Sequence, residues 1–447
     1  MLTKVHNEAL TRVGSDTPMG RMMRRYWVPA LLSWELPEAD CPPVEVRLLG
    51  ENLVAFRNTD GVAALVSAYC AHRRVSLFWG RNEENGLRCV YHGWKFDVAG
   101  QCVDMPSEPA ESTFKDRVKI PAYPTYEAGG VIWAYMGPED MQPDPPLFEW
   151  TQAAPSRRGM SKVIEECNWL QCLEGGIDGV HSNFLHGGRP PGLRYDDEEV
   201  RGKANNVSTA LSMQVIPTDY GYSYGTKRTL GDGTSLVRGY HLVFPWTQIR
   251  SQGNGQVAGH MWVPIDDYNT MVYNYYYNLV DDEQRHRKGP PRHPDANPLW
   301  YRDAELTDRS GNNYLIDVDP ETFHSIRNRT NRFMIDREVQ RTQTYTGIAG
   351  INTQDRAVQE SMGAVADRSL ERLGTTDRAI IAYRRHMMEA LARFEKGEEP
   401  PGTRGTYYQL RPAERVIADD TNWHEEMRPQ LYDLAEPPAV PTSSAGS

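Results

Sequence analysis

The order of apolar and polar positions predicts an α+β protein with a strand-rich N-terminal part. From Pro43 to Gly137, short alternating runs such as VEVRLLG and NLVAFRN are separated by Gly, Asn and Asp, which is typical of a small antiparallel β-domain. The run WKFDVAGQCVDMP predicts a hairpin around Ala99 and Gly100. Strand-like alternation returns over residues 205–280, as in MVYNYYYNLV.

Apolar stripes at three- and four-residue steps predict two helices later in the chain. The segment 162–187 is apolar and contains no proline, and its stripe consists of Trp169, Leu173, Ile177 and Val180. In the last third, which reads as helical, a second stripe consists of Ile380, Tyr383, Met387, Leu391 and Phe394. Thr375 or Thr376 is a candidate cap for that helix. Residues 1–27 are predicted to form a basic helical lead-in whose arginines face solvent, and a docking surface for a neighbouring subunit is the alternative.

Composition excludes several classes of protein. With 60 acidic and 49 basic side chains the formal net charge is −11, which argues against a nucleic-acid binder. No apolar run reaches about 18 residues, so the sequence predicts no membrane span. Six cysteines in 447 residues, with no export signal, do not make a disulfide scaffold. We therefore expect a protein of the reducing cytoplasm.

Two Cys/His pairs form the first candidate metal site. Cys70-Ala-His72 and Cys89-Val-Tyr-His92 are separated by sixteen residues. Two thiolates can bind one iron and two imidazoles a second, which is the mixed ligation of a Rieske [2Fe–2S] centre. A zinc site uses the same donors, although its usual order is two Cys followed by two His. The other cysteines are interpreted as small buried apolar residues: Cys41, Cys102, Cys167 and Cys172.

A second candidate site follows the apolar segment. His181 and His186 are five residues apart, so on an ideal helix their rings would diverge by roughly 140°. They converge only if the helix ends or distorts between them. Two His and one carboxylate form the facial triad of non-haem Fe(II) oxygenases, and a His pair also fits a structural or zinc site. Our preferred carboxylate is Asp355, where a helix is expected to begin; the alternatives are Glu360, Asp367 and Asp377.

The two sites together are more specific than either alone. A Rieske centre delivers single electrons, and a mononuclear Fe(II) site needs electrons to activate O2. One chain that carries both is expected to be an oxygenase with its own electron relay. An electron carrier or a metal-storage protein is the alternative class, but a carrier needs only about a hundred residues.

The sequence resembles the catalytic subunits of Rieske non-haem iron ring-hydroxylating oxygenases, and most of all their phthalate dioxygenase branch. The blocks that carry the resemblance span nearly the whole chain: CAHRRVSLFWGR, CVYHGWKFDVAGQCVDMPSEP, NWLQCLEGGIDGVHSNFLH and TQDRAVQESMGAVADRSLERLGTTDRAII. The resemblance implies an all-β Rieske domain over residues 28–145, after the lead-in at 1–27. It also implies a helix-grip-like catalytic domain over 146–435, with a central antiparallel sheet flanked by helices. The tail at 436–447, EPPAVPTSSAGS, is low in apolar residues and is therefore predicted to be disordered.

The resemblance also implies residue roles. It assigns the cluster to Cys70, His72, Cys89 and His92, and the mononuclear iron to His181, His186 and Asp355. Asp178 would bridge His92 of one subunit to His181 of its neighbour, within a head-to-tail homotrimer or stacked trimers that form a hexamer. The chain departs from many relatives, which have Pro, Gly and Pro at the positions of Ala71, Arg74 and Val90.

The activity implied by the resemblance is cis-dihydroxylation of an aromatic carboxylate, of the phthalate, isophthalate or halobenzoate type, in the catabolism of aromatic compounds. Electrons would come from an NAD(P)H-dependent iron–sulfur flavoprotein reductase. A Rieske monooxygenase, an O-demethylase or an aryl-ether-cleaving dioxygenase is the alternative. A carboxylate in an apolar pocket needs a charge-assisted donor, best supplied by Arg. Arg250 is the preferred candidate, followed by Arg238 and Arg228, and each is as readily a surface strand residue.

Overall fold

A computed structural model describes residues 2–186, 211–253, 256–279, 318–403 and 407–432. The chain forms two units, one containing Val13–Pro146 and the other containing Met1–Arg12 with Leu147–Pro438. The predicted tail at 436–447 lies outside the described residues. Within the described ranges, every helix is too short or too polar to cross a membrane.

The smaller unit consists of three antiparallel sheets, as the alternating runs predict. Its strands are β1 (Trp27–Leu32), β2 (Val44–Leu48), β3 (Glu51–Arg57), β4 (Ala63–Ser67), β5 (Arg81–Glu83), β6 (Gly86–Arg88), β7 (Lys95–Phe96), β8 (Cys102–Asp104), β9 (Ala122–Tyr123), β10 (Thr125–Ala128) and β11 (Val131–Tyr135). The strand orders are β1-β11-β10, β2-β3-β4-β9 and β5-β6-β7-β8. Aliphatic and aromatic side chains from the last two sheets share one buried core with Cys70, Cys89 and Trp94.

The hairpin predicted around Gly100 is confirmed, since β7 and β8 pair antiparallel across it. Gly100 has φ +77°, and a Cβ there would lie 2.2 Å from the carbonyl oxygen of Ile120. Glycine is therefore required twice at this position, for its left-handed backbone and for the space.

The lead-in forms two short helices, α1 (Lys4–Thr11) and α2 (Pro18–Met23), capped by the side chains of Thr3 and Thr17. The expectation that its arginines all face solvent is wrong for Arg25, which is 7% exposed, and for Arg24, which is 6% exposed. The Arg24 guanidinium lies 2.8 Å from Glu51 and donates to the carbonyl oxygens of Val13, Gly20 and Leu49. Burial of this arginine is possible because a carboxylate and three backbone acceptors replace its water.

Among the described residues, the larger unit is built on an eight-stranded antiparallel sheet, which confirms the alternation over 211–253 and 256–279. The other residues of 205–280 lie outside the described part of the chain. The strands of the sheet are β12 (Arg158–Glu165), β13 (Ser212–Pro217), β14 (Gly221–Thr229), β15 (Thr234–Val243), β16 (Thr247–Gly253), β17 (Gln256–Pro264), β18 (Thr270–Asn278) and β19 (Ala413–Ala418). The order is β12-β18-β17-β16-β15-β14-β13, and β19 pairs with β15. The flanking helices are α3 (Glu149–Gln152), α4 (Trp169–Ile177), α5 (Arg337–Thr342), α6 (Ile351–Ser361), α7 (Arg378–Phe394) and α8 (Trp423–Leu431).

The helix predicted over 162–187 is wrong at both ends. Its first residues belong to β12, which pairs with β18 along its whole length. The helix α4 begins only after Asn168, whose side chain accepts a hydrogen bond from the backbone N–H of Leu170 at 3.1 Å. It ends at Ile177, directly after two glycines that lower helix propensity. The prediction failed because an apolar strand followed closely by an apolar helix gives one continuous apolar pattern in the sequence.

The stripe in the last third is confirmed by α7, in which Tyr383, Met387 and Leu391 are buried. The predicted threonine cap is wrong. Residues Thr375–Asp377 form a 3-10 turn, and the carboxylate of Asp377 accepts a hydrogen bond from the N–H of Gly374 at 2.6 Å. The helical interpretation of this region also missed β19, because a sheet-edge partner is chosen by tertiary pairing.

We expect Gly100→Ala to destabilise the smaller unit more than Gly61→Ala. Both glycines have a left-handed backbone, at φ +77° and +80°, so each alanine carries a strain of about 1–2 kcal/mol. Only at Gly100 does the new Cβ also collide with backbone, since Gly61 has no atom within 4 Å. Overpacking should add about 1–3 kcal/mol, measured as a lower thermal unfolding midpoint. Equal shifts for the two variants would contradict this account.

Candidate metal centres and the adjoining cavity

A cavity of about 360 Å³ opens on one face of the eight-stranded sheet. Side chains that face it alternate along the strands, as the two-residue period of a strand requires. In the paired register, Tyr224 lies opposite Tyr240, and Arg250 directly follows the last residue of β16 that is paired with β15. On the other edge of β16, Gln248 lies opposite His260, and His260 lies opposite Asn274. All six of these side chains line the cavity.

His181, His186 and Asp355 converge at one end of this cavity. The Oδ1 atom of Asp355 lies 3.6 Å from Nε2 of His181 and 3.3 Å from Nε2 of His186. The two imidazole rings are 5.0 Å apart and nearly perpendicular, at 84°. One donor atom from each of the three side chains lies within 4.8 Å of the others. This donor set, two imidazoles and one carboxylate, fits a facial triad for Fe(II).

The local structure explains why the two histidines converge. The helix α4 ends at Ile177, before both of them, and His181 begins a 3-10 turn that ends at Asn183. The helix end that the sequence predicts between the two histidines therefore lies before both of them in the chain. Asp355 is the fifth residue of α6 instead of its first, and the helix holds it beside both rings. Among the described residues, none of the alternative carboxylates joins this group of metal donors: Glu360, Asp367 and Asp377.

Charge and burial act in opposite directions at this triad. Burial by itself raises the pKa of Asp355, but the hydrogen bond and the charge of His186 lower it overall. Burial lowers the pKa of His181, which keeps that imidazole neutral. The Nδ1 atom of His186 lies 2.8 Å from Oε1 of Gln354, so this amide orients the ring. A second hydrogen bond of this kind is common for metal-binding imidazoles.

Asp178 caps the end of α4 beside His181. Its Oδ1 accepts a hydrogen bond from the backbone N–H of Val180 at 2.7 Å, and its Oδ2 lies 3.9 Å from Nδ1 of His181. Within the described part of the chain, that Nδ1 is buried and has no hydrogen-bond partner. The carboxylate is therefore held close to the nitrogen of His181 that faces away from Asp355.

A buried ion network fixes α4 ahead of these residues. Glu174 is 7% exposed, and its carboxylate lies 2.9 Å from Arg368 and 2.6 Å from Arg384. Arg384 also pairs with Glu371 at 2.6 Å, and Arg368 donates to the side chain of Asn7 in α1. Burial by itself raises the pKa of Glu174, but the two arginines lower it overall. The last turn of α4 is thus tied to α1 and α7.

All three arginines predicted from the sequence line the cavity, but their surroundings differ. Arg238 lies 2.9 Å from Glu414, and Arg228 donates to the carbonyl oxygen of Gly179 at 3.2 Å. Arg250 has a buried Nε with no hydrogen-bond partner among the described residues. Burial also lowers its pKa from the usual value. Burial lowers the pKa of Arg228 as well, to about 10, so Arg250 differs from the other two in lacking an acidic or carbonyl partner among the described residues.

The first Cys/His site lies on two loops with the same backbone pattern. In one loop the N–H of Cys70 donates to Val75 and the N–H of Arg74 donates back to Cys70, at 2.9 and 3.0 Å. In the other, Cys89 donates to Trp94 at 2.8 Å and Gly93 donates to Cys89 at 3.0 Å. The fourth residue after each cysteine is left-handed, with φ +61° at Arg74 and +80° at Gly93.

The two loops bring the four predicted side chains together. The rings of His72 and His92 are 4.4 Å apart, and His72 stacks on Trp94 at 4.6 Å. Both cysteines are buried, whereas His72 is exposed. Burial raises the pKa of Cys70 to about 11, and the sulfur of Cys89 adds to this. Two thiolates here require a compensating cation, and this two-sulfur, two-imidazole set fits a Rieske centre.

Several residues around the candidate sites were missed by sequence reasoning. They are Glu174, Gln248, Gln354, His260 and Asn274. The signal for Gln354 was its position next to Asp355. Strand alternation from Arg250 could have indicated the sheet residues Gln248, His260 and Asn274, but only if the register between the strands were known.

Two family models match the chain. The Rieske [2Fe-2S] domain matches residues 26–124, and the LigXa C-terminal domain like model matches residues 134–433. The chain is 40% identical over 444 residues to the phthalate 4,5-dioxygenase oxygenase subunit of Pseudomonas putida, covering 97% of both chains. It is 39% identical to the 3-chlorobenzoate-3,4-dioxygenase oxygenase subunit of Comamonas testosteroni, covering 97% of this chain and 99% of the relative.

A more distant relative and a solved structure also match the chain. The 5,5'-dehydrodivanillate O-demethylase oxygenase subunit of Sphingobium sp. is 30% identical, over 90% of this chain and 83% of the relative. Among solved structures, a Pseudomonas putida CBB5 NdmA variant with caffeine superimposes with a TM-score of 0.56. That match covers 90% of this chain and 98% of the other, at 17% identity, and so shows the fold alone.

We expect Glu174→Gln to destabilise the larger unit by about 3–5 kcal/mol, because it leaves two buried arginines without their shared carboxylate. Denaturant unfolding measures the loss. Since the fold lowers the pKa of Glu174, its stabilisation is present above the ordinary pKa and is lost as the pH falls below it. The difference between wild type and variant should therefore shrink in acid.

The matched control is Glu389→Gln, which removes an exposed pair with Arg385 at 3.9 Å. An exposed pair contributes about 0–1 kcal/mol, so this variant should unfold almost as the wild type does. A loss for Glu174→Gln no larger than that of the control would show that the network does not hold α4.

Proposed function

Because the chain belongs to the Rieske non-haem iron oxygenases, we propose that it is the oxygenase component that cis-dihydroxylates an aromatic carboxylate. Its class is that of an oxidoreductase which uses O2, an aromatic substrate and an electron-donating partner protein. The observation that carries the proposal is the triad of His181, His186 and Asp355 at a cavity that also contains Arg250. The names of two relatives, which act on phthalate and on 3-chlorobenzoate, support an aromatic acid.

The residues fit the two cofactors of the family, a Rieske [2Fe–2S] cluster and a mononuclear iron. Cys70 and Cys89 would bind one iron of the cluster, and His72 and His92 the other. His181, His186 and Asp355 would bind the mononuclear iron. When bound, the cluster supplies single electrons and the mononuclear iron provides open positions at which O2 is activated.

Asp178 is proposed to connect two copies of the chain. Its Oδ2 would accept a hydrogen bond from Nδ1 of His181, which fixes the tautomer that leaves Nε2 free for iron. The exposed edge of the cluster site lets His92 of a second copy reach the same carboxylate. This arrangement requires a head-to-tail ring of copies, which we propose to be a homotrimer or stacked trimers.

Arg250 is proposed to bind the substrate carboxylate. A buried guanidinium with an unpartnered Nε can donate two parallel hydrogen bonds to a carboxylate, which replaces the water it has lost. Trp262, Val272 and Leu236 supply apolar wall around the aromatic ring. The carboxylate therefore sets the orientation of the ring relative to the triad.

The proposed reaction consumes one aromatic carboxylate, one O2, one NAD(P)H and one proton, and gives a cis-dihydrodiol and NAD(P)+. A separate NAD(P)H-dependent iron–sulfur flavoprotein reductase supplies the two electrons. The location in the cytoplasm, inferred from the cysteine content, remains a prediction, and all six cysteines are free.

Monooxygenation or O-demethylation is the second candidate, because one relative is named an O-demethylase. An aryl-ether-cleaving dioxygenase would use the same residues. Product mass separates these reactions. A dihydrodiol gains both oxygen atoms of 18O2, a monooxygenase product gains one, and demethylation of a methoxybenzoate releases formaldehyde.

We expect Asp178→Asn to retain both metals yet lower the turnover number by at least about 100-fold. The amide keeps the size of the side chain but presents its N–H groups where two imidazoles need an acceptor. Single-turnover oxidation of the pre-reduced cluster, followed by its visible absorbance, measures the electron-transfer step directly.

The control for this experiment is Asp355→Ala, which should lose the mononuclear iron while the cluster spectrum remains. Iron analysis distinguishes the two variants. Cluster oxidation at the wild-type rate in Asp178→Asn would exclude the bridge, and full mononuclear occupancy in Asp355→Ala would move the third ligand elsewhere.

We expect Arg250→Met to raise the KM for benzoate by about 10- to 100-fold, because it removes the charged donors from a buried site. Arg238→Met is the matched control, since Arg238 already pairs with Glu414. Steady-state O2 uptake with a reductase, measured together with product mass, gives both kcat and KM.

If Arg250→Met leaves the KM unchanged and Arg238→Met or Arg228→Met raises it, the carboxylate binds elsewhere in the cavity. If benzoates and phthalates neither bind to the wild type nor stimulate its O2 uptake, the proposed substrate class is wrong.

A further inference from the structure

His260 occupies a central place on the cavity face of the sheet. It lies in β17, directly opposite Gln248 in β16 and Asn274 in β18. Arg250 is two residues from Gln248 on the same face of β16, so it is the diagonal neighbour of His260. His260 lines the cavity together with these three residues.

The hydrogen bond to Asn274 determines which nitrogen of His260 carries the proton. Nδ1 of His260 lies 2.7 Å from Oδ1 of Asn274, and a carbonyl oxygen can only accept. Nδ1 therefore donates, and Nε2 presents a lone pair. Burial, with the charge of Arg250 added, lowers the pKa of His260 to about 3, so the imidazole stays neutral at working pH.

The protein does not supply a donor to this lone pair within the described residues. Gln248, the nearest candidate across the strand pair, donates its amide to Gly176 at 2.8 Å and to Tyr224 at 2.6 Å. The Oε1 atom of Gln248 is itself a buried acceptor without a partner in the described ranges. The cavity wall beside Arg250 thus presents acceptors that need a donor from a ligand.

We infer that Nε2 of His260 accepts a hydrogen bond from a hydroxyl or amino group on the substrate ring, while Arg250 binds the carboxylate. The inference rests on the proposed function and narrows its substrate class to aromatic carboxylates with a donor substituent. A substituent that can only accept, such as methoxy or a second ionised carboxylate, leaves His260 unpartnered.

The sheet geometry also restricts the ring position of the donor. Residues at diagonal positions of neighbouring strands are separated by roughly 7–8 Å. That separation fits a donor meta or para to the carboxylate. An ortho hydroxyl is too close to the carboxylate and forms a hydrogen bond with it instead.

The test compares 3- and 4-hydroxybenzoate with 3- and 4-methylbenzoate, which have nearly the same shape. For the wild type we expect the better hydroxybenzoate to show about 10- to 100-fold higher kcat/KM and a correspondingly lower Kd than its methyl partner. In His260→Phe that ratio should fall to about 1. His260→Gln retains an acceptor and should restore part of it, whereas a purely structural role would change all ligands alike.

Asn274→Leu provides an independent variant, because it frees the tautomer of His260 without changing the ring. It should lower the hydroxyl-to-methyl ratio, whereas a change that only reshapes the cavity would weaken both ligands alike. Cluster absorbance and iron content verify that each variant is folded and loaded.

Equal values for hydroxy- and methylbenzoates in the wild type, or an unchanged ratio in His260→Phe, would overturn the inference. A preference for phthalate or isophthalate over both hydroxybenzoates would overturn it as well. In those cases an aromatic carboxylate is still bound and oxidised, so the proposed function stands. If none of these acids binds, the proposed function itself fails.

Discussion

The position at which α4 ends is the constraint on which the candidate iron site depends. Glu174 is buried between Arg368 and Arg384, and three charges in this geometry cannot be moved without leaving one unpaired. One turn later the helix ends at Ile177, and Asp178 caps it. The chain then turns so that His181 meets Asp355, which α6 supplies from the other side. A buried ion network thus fixes a metal-binding geometry that it does not contact.

Three arginines face the cavity from the same side of the sheet but have different partners. Arg228, Arg238 and Arg250 all face it, since each lies on the same side of its strand. Only the partners differ: Arg238 meets Glu414 on β19, Arg228 meets a backbone carbonyl, and Arg250 retains an unpartnered Nε. The same face presents His260 as an uncovered acceptor. A charged donor beside a neutral acceptor favours a ligand that carries both a carboxylate and a hydrogen-bond donor.

The two Cys/His loops position their side chains by repeating one backbone pattern. Two loops with matching backbone hydrogen bonds each present a buried sulfur and a more accessible imidazole. Arg74 adopts at φ +61° the left-handed conformation that Gly93 adopts in the other loop. The Arg74 side chain lies 4.7 Å over the ring of Tyr69, a contact that glycine could not make. The substitution at this position therefore exchanges backbone freedom for a cation–π contact.

The sequence by itself determined the elements with local signals: the strands over 43–137 and over the described residues of 205–280, the α7 stripe and the chemistry of the Cys/His pairs. Its preferred carboxylate, Asp355, and its three candidate arginines do line the cavity, but the sequence left each of them open against alternatives. It misplaced the ends of α4 and missed β19, because a strand and a helix in sequence form one apolar stripe. Only tertiary packing decided which arginine pairs with a carboxylate, which nitrogen of His260 carries a proton and where α4 ends. Each of these depends on a partner that lies far away in the sequence, and pairing energies between distant residues leave no periodic pattern.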